Sequence, residues 1–391
     1  MILPRGNIRP ITEIEVNIGL RQKHIVADES EVAASGYLAI DLAALQRNYE
    51  RIAAQAAPAR AAAVVKANAY GLGALQISRA LLTQGCRDFF VAEFVEAMEL
   101  HADLPGATLY VLNGLQPGNE VMCAQANIVP VANSLEQLKR WHATAVKLGR
   151  KLPVILQFDT GMSRLGIPPE DRPEAKALAA ESESLDLLYV MSHLASADDN
   201  ESDQNPAQLV EMQQVSEEFS GMSVCFANSG GVFLGTQYHA DLVRPGIALY
   251  GGAPTGGRQN PMEPVVKLDV AVVQTRTVPP GAAIGYSSSF IAASQMRLAT
   301  LAIGYADGLP RSLSNRGAFY HGGVRLPIVG RVSMDSTIVD VSALAPDALQ
   351  LGSLVEVIGQ HQTIDDIASA ADTISYEILT RLGTRYRRTY C

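Results

Sequence analysis

Apolar positions along this chain follow two rhythms, and the change from one to the other divides it. In the earlier and longer part, short continuous apolar runs alternate with stretches whose apolar residues recur every three or four positions. The first pattern suits strands buried on both faces, the second helices with one buried stripe. The run AAAVV at 61–65 is followed by Lys66, then by the turn chemistry of Asn68-Ala69-Tyr70-Gly71, and from Ala74 by helical spacing with Leu75, Ile77, Leu81 and Leu82 on one side. Lys66 therefore stands at the carboxyl end of a strand in a βα unit. Just before it, YLAIDLAALQRNYERIAAQ reads as a short strand and a helix.

Counting the buried strands decides the architecture. They are predicted at 61–65, 89–92, 109–112, 128–131, 154–158, 187–191, 224–227 and 242–243, separated by helical stretches such as SLEQLKRWHATAVKLG. Eight strands in βα alternation point to a closed parallel (β/α)8 TIM barrel, an α/β fold, although a doubly wound open sheet shares the local pattern. Past the linker GGAPTGGRQNP the grammar becomes alternating strands, as in VVKLDVAVVQTRTV and RLATLAIGYADG, closed by the helix-like TIDDIASAADTISYEILTRLG. The expected organisation is an N-terminal extension over 1–35, a barrel over 36–260 and a mainly β C-terminal domain over 261–391.

Composition narrows the class. With 31 Lys plus Arg against 40 Asp plus Glu, a net charge of -9 and no long basic run, nucleic acid and anionic membrane are not expected partners. No apolar run is long enough to span a bilayer, and the first residues, broken by Pro4, Pro10 and charges, lack the apolar core of a secretory signal, so the expected location is cytoplasmic. Cys86, Cys123, Cys225 and Cys391 have no CxxC spacing and read as free thiols, with no metal site.

A barrel collects its chemistry where the strands end. The polar residues fall there: Lys66 after the first strand, Asp159 and Arg164 after the fifth, His193 after the sixth, Asn228 and Ser229 after the seventh, Arg244 at the eighth. A lysine held away from bulk water loses basicity and becomes a nucleophile for carbonyl groups. Ser229 in FANSGG has a hydroxyl and glycine neighbours that let backbone N–H groups approach an anion, and Gly246 and Ile247 in VRPGIALYG offer donors of the same kind. Arg244 stays protonated and can only donate.

The string VVKANAYGLG closely resembles the cofactor-lysine motif of the alanine racemase family, which depends on pyridoxal 5'-phosphate. The resemblance implies that Lys66 carries the cofactor, that Tyr70, Ser229, Gly246, Ile247 and Tyr376 (in TISYE) lie at its phosphate, and that Arg244, linked to His193 and beside Asn228, faces the ring nitrogen. An arginine there leaves that nitrogen an unprotonated acceptor and weakens the ring as an electron sink. Racemisation needs two acid/base groups, and the resemblance supplies Lys66 and Tyr286 in IGYSSSF. It also implies that Arg164, Tyr305 in IGYADGLPR, and Met334 and Asp335 in GRVSMDS recognise a small amino acid. In the family, Tyr286, Tyr305 and Met334 reach the other subunit's cofactor in a head-to-tail homodimer with shared sites.

One position departs from the pattern. Where many members carry a carbamylated lysine that steadies the carboxylate-binding arginine, this chain has Gln157, so Arg164 needs another partner, the Gln157 carbonyl or a bound chloride. Leu72 stands where many relatives have His. The motifs run in family order from Gly36 to Arg388. They imply interconversion of L- and D-alanine. The rivals are a racemase of broader amino-acid range, a fold-related decarboxylase, whose EPGR-type motif is missing, and a non-catalytic cofactor carrier, which resembles the barrel alone.

Overall fold

The structure, a computed structural model, describes residues 33–391, so the extension expected over 1–35 lies almost wholly outside the described residues. The barrel strands are Arg60–Ala61 with Ala63–Val64, then Asp88–Val91, Thr108–Val111, Val129–Ala132, Leu152–Gln157, Leu185–Met191, Ser223–Asn228 and Leu242–Arg244. Each pairs in parallel with the next. The stretch 60–64 closes the ring, because Arg60–Ala61 pairs with the eighth strand and Ala63–Val64 with the second. Backbone bonds continue the seam on both sides, from Val64 N to Pro245 O at 3.0 Å and from Val65 N to Phe90 O at 2.8 Å. An open doubly wound sheet would leave two edges here; this sheet is a barrel.

Local chemistry explains the elements. Asp88–Val91 and Val129–Ala132 are buried at every position, as strands covered on one face by helices and on the other by the barrel's own filling must be. The helix Leu42–Ala56 starts where Asp41 Oδ1 accepts from Ala44 N at 2.8 Å, and Leu135–Leu148 where Ser134 Oγ accepts from Gln137 N at 3.2 Å. Trp141 of the second helix is buried against the barrel wall.

The second sheet is organised on Val266–Val278, whose first half alternates between buried and less buried positions. It pairs with Leu354–Ile358, Met296–Leu301 and Gly36–Ile40, and the last of these pairs in parallel with Arg387–Tyr390. The first described strand thus lies in the β layer, before the chain builds the barrel. A small hairpin, Ala283–Ile284 with Phe290–Ile291, carries the turn Tyr286–Ser288 at its tip. It sits on its own apolar cluster of Ile284, Ala292, Met296, Leu298 and Val329.

Candidate active site

Lys66 leaves the first barrel strand into an uncommon backbone. Ala67, Asn68, Ala69 and Tyr70 all adopt left-handed angles, with φ of 53°, 55°, 51° and 56°, before Gly71 at 84°. For L-residues each such position costs about 1–2 kcal/mol, so a run of them persists only where the surroundings impose it. Those surroundings are specific. Ala67 N donates to Glu96 Oε1 at 2.5 Å, Ala74 N to Asn68 Oδ1 at 2.8 Å, Arg388 Nη2 to Gly71 O at 3.1 Å and Tyr390 Oη to Leu72 O at 3.0 Å. A side chain at Gly71 would also place its Cβ 2.7 Å from the Leu379 carbonyl oxygen. The turn aims Lys66 into the barrel mouth and sends the Tyr70 ring between Tyr250, 4.7 Å away, and Tyr376, 5.7 Å away.

The mouth holds a cavity of about 390 Å³, lined by Lys66, Tyr70, Arg164, His193, Asn228, Ser229, Arg244, Gly246 and Tyr376 among others. Burial pushes the Lys66 amine below the usual lysine range; Arg164 and Arg244 push the same way and Glu96 opposes them. Arg244 is buried and bonded to groups that only accept or are neutral: Nη2 donates to Ser192 O at 2.8 Å and lies 3.3 Å from His193 Nδ1, and Nη1 donates to Cys225 Sγ at 3.2 Å. Because a guanidinium has no acceptor, Nδ1 must accept, which leaves any imidazole proton on Nε2. Burial, then Arg244, Arg164 and Lys66, lower the His193 pKa to about 3, so the ring is neutral at ordinary pH. Arg164 is exposed and forms no ion pair among the described residues. Two guanidiniums and the Lys66 amine against the single carboxylate of Asp198 give the cavity a lining that attracts anions.

At the far side, Ser229 Oγ accepts from Gly246 N at 2.8 Å and Ala248 N at 3.3 Å, which gathers a hydroxyl and two backbone donors at one spot. A Cβ on Gly246 would fall closer than 3.0 Å to Tyr70 Oη, and one on Gly230 would lie 2.5 Å from the Ala197 carbonyl oxygen, so the cradle is open only because both residues are glycine. Asn228 borders the cavity with its polar ends already engaged: Oδ1 accepts from Gly231 N at 3.0 Å and Nδ2 donates to Leu194 O at 3.1 Å. The Ile247 side chain is buried in the core. Tyr376 stands at the rim, its pKa raised to about 12 by burial and by Asp198. A lysine disfavoured as a cation, a dianion cradle and a cationic wall fit pyridoxal phosphate.

The remaining predicted residues do not line this cavity. Tyr286, Tyr305 and Met334 are 68%, 45% and 53% exposed on the β domain, an apolar set out in solvent. Tyr305 and Met334 share one surface, since Tyr305 N donates to Ser333 O and Ala306 N to Met334 O, both at 3.0 Å. Asp335 is tied to Arg385 at 2.7 Å. Gln157 is buried at the end of the fifth strand.

Two participants escaped the sequence reading. Glu96 bonds the amide next to Lys66, and Asp365 accepts from Ala253 N at 3.1 Å and from Ser375 Oγ, bracing two segments that line the cavity. The VAEFVEA stretch shows Glu96 only as an acidic residue in a helix's first turn.

Comparison with known proteins places the chain. The family model for the alanine racemase N-terminal domain matches residues 40–254, and that for the alanine racemase C-terminal domain matches 265–390. A catabolic alanine racemase from Rhizobium johnstonii is 62% identical over 358 residues, spanning 91% of this chain and 95% of that protein. An alanine racemase from Brucella ovis is 50% identical over 93% of this chain and 95% of its own length. Among solved structures, alanine racemase from Bartonella henselae with covalently bound pyridoxal phosphate superposes with a TM-score of 0.89 at 43% identity, covering 92% of this chain and all (100%) of that one. Two adjoining domain matches over most of the chain, on a barrel whose mouth gathers a desolvated lysine and an anion cradle, have one reading: the chain belongs to the alanine racemase family.

Proposed function

We propose that the protein is an alanine racemase that interconverts L- and D-alanine with pyridoxal phosphate held in the barrel mouth. The observation that carries this is the position of Lys66, half-buried and with its amine pushed below the usual lysine range at the end of the first strand, across the cavity from the Ser229 hydroxyl and the Gly246 and Ala248 amides. Lys66 would hold the cofactor, the Ser229 loop and Gly246 would hold its phosphate with Tyr70 and Tyr376 beside it, and Arg244, fixed by His193 and Ser192 O, would donate to its ring nitrogen. Bound in this way, the cofactor supplies the electron withdrawal that makes an amino acid's α-hydrogen removable.

The rest falls to side chains. Arg164 takes the substrate carboxylate. Lys66 Nζ removes or returns a proton at the α-carbon on one face, and inversion requires a second group on the other. Within one chain the groups nearest Lys66 are poorly suited to it: burial raises the pKa of Tyr70 and of Tyr376, and His193 is spent on Arg244. Tyr286, exposed at a hairpin tip together with Tyr305 and Met334, is the group one subunit lends to another, so the working unit is a homodimer with two shared sites. On this reading the barrel expected over 36–260, less the strand Gly36–Ile40 that pairs in the β layer, holds the cofactor, and 261–391 completes the neighbour's site. The four free cysteines suit the reducing cytoplasm.

The test is complementation. Lys66→Ala loses both the visible absorbance of lysine-bound cofactor and D-alanine production from L-alanine, whereas Tyr286→Phe keeps the absorbance and loses production. Mixing the two inactive variants under subunit exchange regains activity if the site is shared. No regain rules out the shared site, and rates on lysine or arginine comparable with alanine displace alanine as the substrate.

A further inference from the structure

Of the left-handed residues behind Lys66 only Asn68 is of a type that adopts such angles readily, and the turn begins at Ala67, so a group outside the turn must set its first peptide. Glu96 occupies that position. It lies in the first turn of the helix Phe94–Leu100, after the second barrel strand. Its carboxylate is divided between two loops: Oε1 accepts from Ala67 N at 2.5 Å, and Oε2 accepts from Ala92 N at 2.8 Å and Glu93 N at 3.0 Å. One oxygen therefore faces the peptide that follows Lys66, and the other is anchored in the neighbouring strand's loop. Helix capping alone requires only the Glu93 N bond. The bond to Ala67 is extra, spans 29 residues of sequence, and is the shortest of the three.

We infer that Glu96 is a positioning residue for the racemisation, a carboxylate strut that fixes the Lys66 turn to the second barrel strand and so sets where the Lys66 amine stands. The inference rests on the reading of Lys66 as an acid/base group. Charge adds a second role. The titratable and charged groups that share the cavity with the Lys66 amine are Tyr70, Arg164, His193, Asp198, Arg244 and Tyr376; Arg164 and Arg244 disfavour its charge, and Glu96, behind the turn, is the carboxylate that opposes them. Removing it moves the Lys66 titration to lower pH.

The experiment compares Glu96→Ala, Glu96→Gln and a control, Glu93→Ala. The control removes the other half of the same capping box, in which Glu93 accepts from the Glu96 backbone, and leaves Ala67 untouched. Three readouts are taken: kcat and KM for alanine, the pH profile of kcat, and hydrogen exchange of the amides at 67–70 in protein without cofactor. For Glu96→Ala, exchange at 67–70 speeds up, and kcat falls by roughly 10- to 100-fold with KM nearly unchanged, the scale of loss expected from a displaced reacting group. Glu96→Gln keeps one acceptor and loses the charge, so it restores part of kcat while the low-pH limb still moves down. Glu93→Ala changes none of the three. The proposal is overturned if Glu96→Ala leaves exchange and kcat as they were, or if Glu93→Ala does the same damage, since that would be ordinary helix capping. If Glu96→Ala does not fold, Glu96→Gln with an unshifted pH limb and unchanged exchange overturns it equally. Lys66→Ala, run alongside, separates the two ideas: its inactivity keeps the Lys66 reading even where the Glu96 strut fails.

Discussion

Gly246→Ala tests how tightly the anion cradle is built. Gly246, with φ of −124°, lies outside the left-handed region, and what an added side chain meets there is Tyr70. The new Cβ would lie inside 3.0 Å of Tyr70 Oη and 3.0 Å from Cζ. Tyr70 cannot swing away, being 5% exposed and wedged between the rings of Tyr250 and Tyr376. Overpacking of this kind costs about 1–3 kcal/mol. Unfolding entropy of about 2.1 cal/mol/K per residue over 33–391 makes 2 kcal/mol worth roughly a 3 °C fall in melting midpoint. Tyr70→Phe removes the atom in closest conflict, and its Oη has no hydrogen-bond partner among the described residues. In a double-mutant cycle on protein without cofactor, Gly246→Ala should therefore cost about 1 kcal/mol less, or better, in the Tyr70→Phe background. Equal costs in both backgrounds would refute the steric argument and place the role of Gly246 elsewhere.

Other consequences follow from the same geometry. Tyr286→Phe, at a site 68% exposed, should shift stability by no more than about 0.5 kcal/mol while lowering kcat by roughly 10² to 10⁴, read by thermal melts and steady-state kinetics. Arg164→Gln removes a cation that lowers the Lys66 pKa, so the low-pH limb of kcat should move to higher pH and KM for alanine should rise; a limb that stays or falls contradicts the assignment. His193, with its pKa lowered from 6.5 to about 3, should show no imidazole titration by NMR between about pH 5 and 8. Only the unfolded chain takes up that proton, so His193 subtracts stability as pH falls from 6.5 toward 3, and His193→Gln should flatten that part of a pH series of melts. Gln157→Ala or removal of chloride should raise KM for alanine several-fold; indifference to both means that Arg164 is steadied by neither.

Legibility tracked how local each cause is. The eight barrel strands were readable to within a residue or two because strands covered on both faces must be apolar throughout, as at Phe89 and Phe90. From the barrel, the meeting of Lys66, His193, Ser229 and Arg244 in one cavity follows, since strand ends converge. The destination of Gly36–Ile40 was not readable, because its partners lie far along the chain and its pattern resembles any half-buried strand. Nor was the length of the left-handed turn: Asn68 signals a turn, but nothing in Ala67, Ala69 or Tyr70 announces positive φ, and the imposing groups, Glu96, Arg388 and Tyr390, are remote in sequence. The exposed set of Tyr286, Tyr305 and Met334 was legible only through family resemblance, because a lone tyrosine in a polar hairpin carries no signal of its own.

The strand Gly36–Ile40 also governs the order of events at the ribosome. It emerges early, yet its edges stay bare until Val266–Val278 and then Arg387–Tyr390 have been synthesised. The barrel can assemble in the meantime, but the carbonyls of Gly71 and Leu72 must wait for Arg388 and Tyr390 to arrive with the strand Arg387–Tyr390. A nascent barrel would thus carry its lysine loop half-secured until Arg387–Tyr390 both closes the outer sheet and tightens the turn behind Lys66.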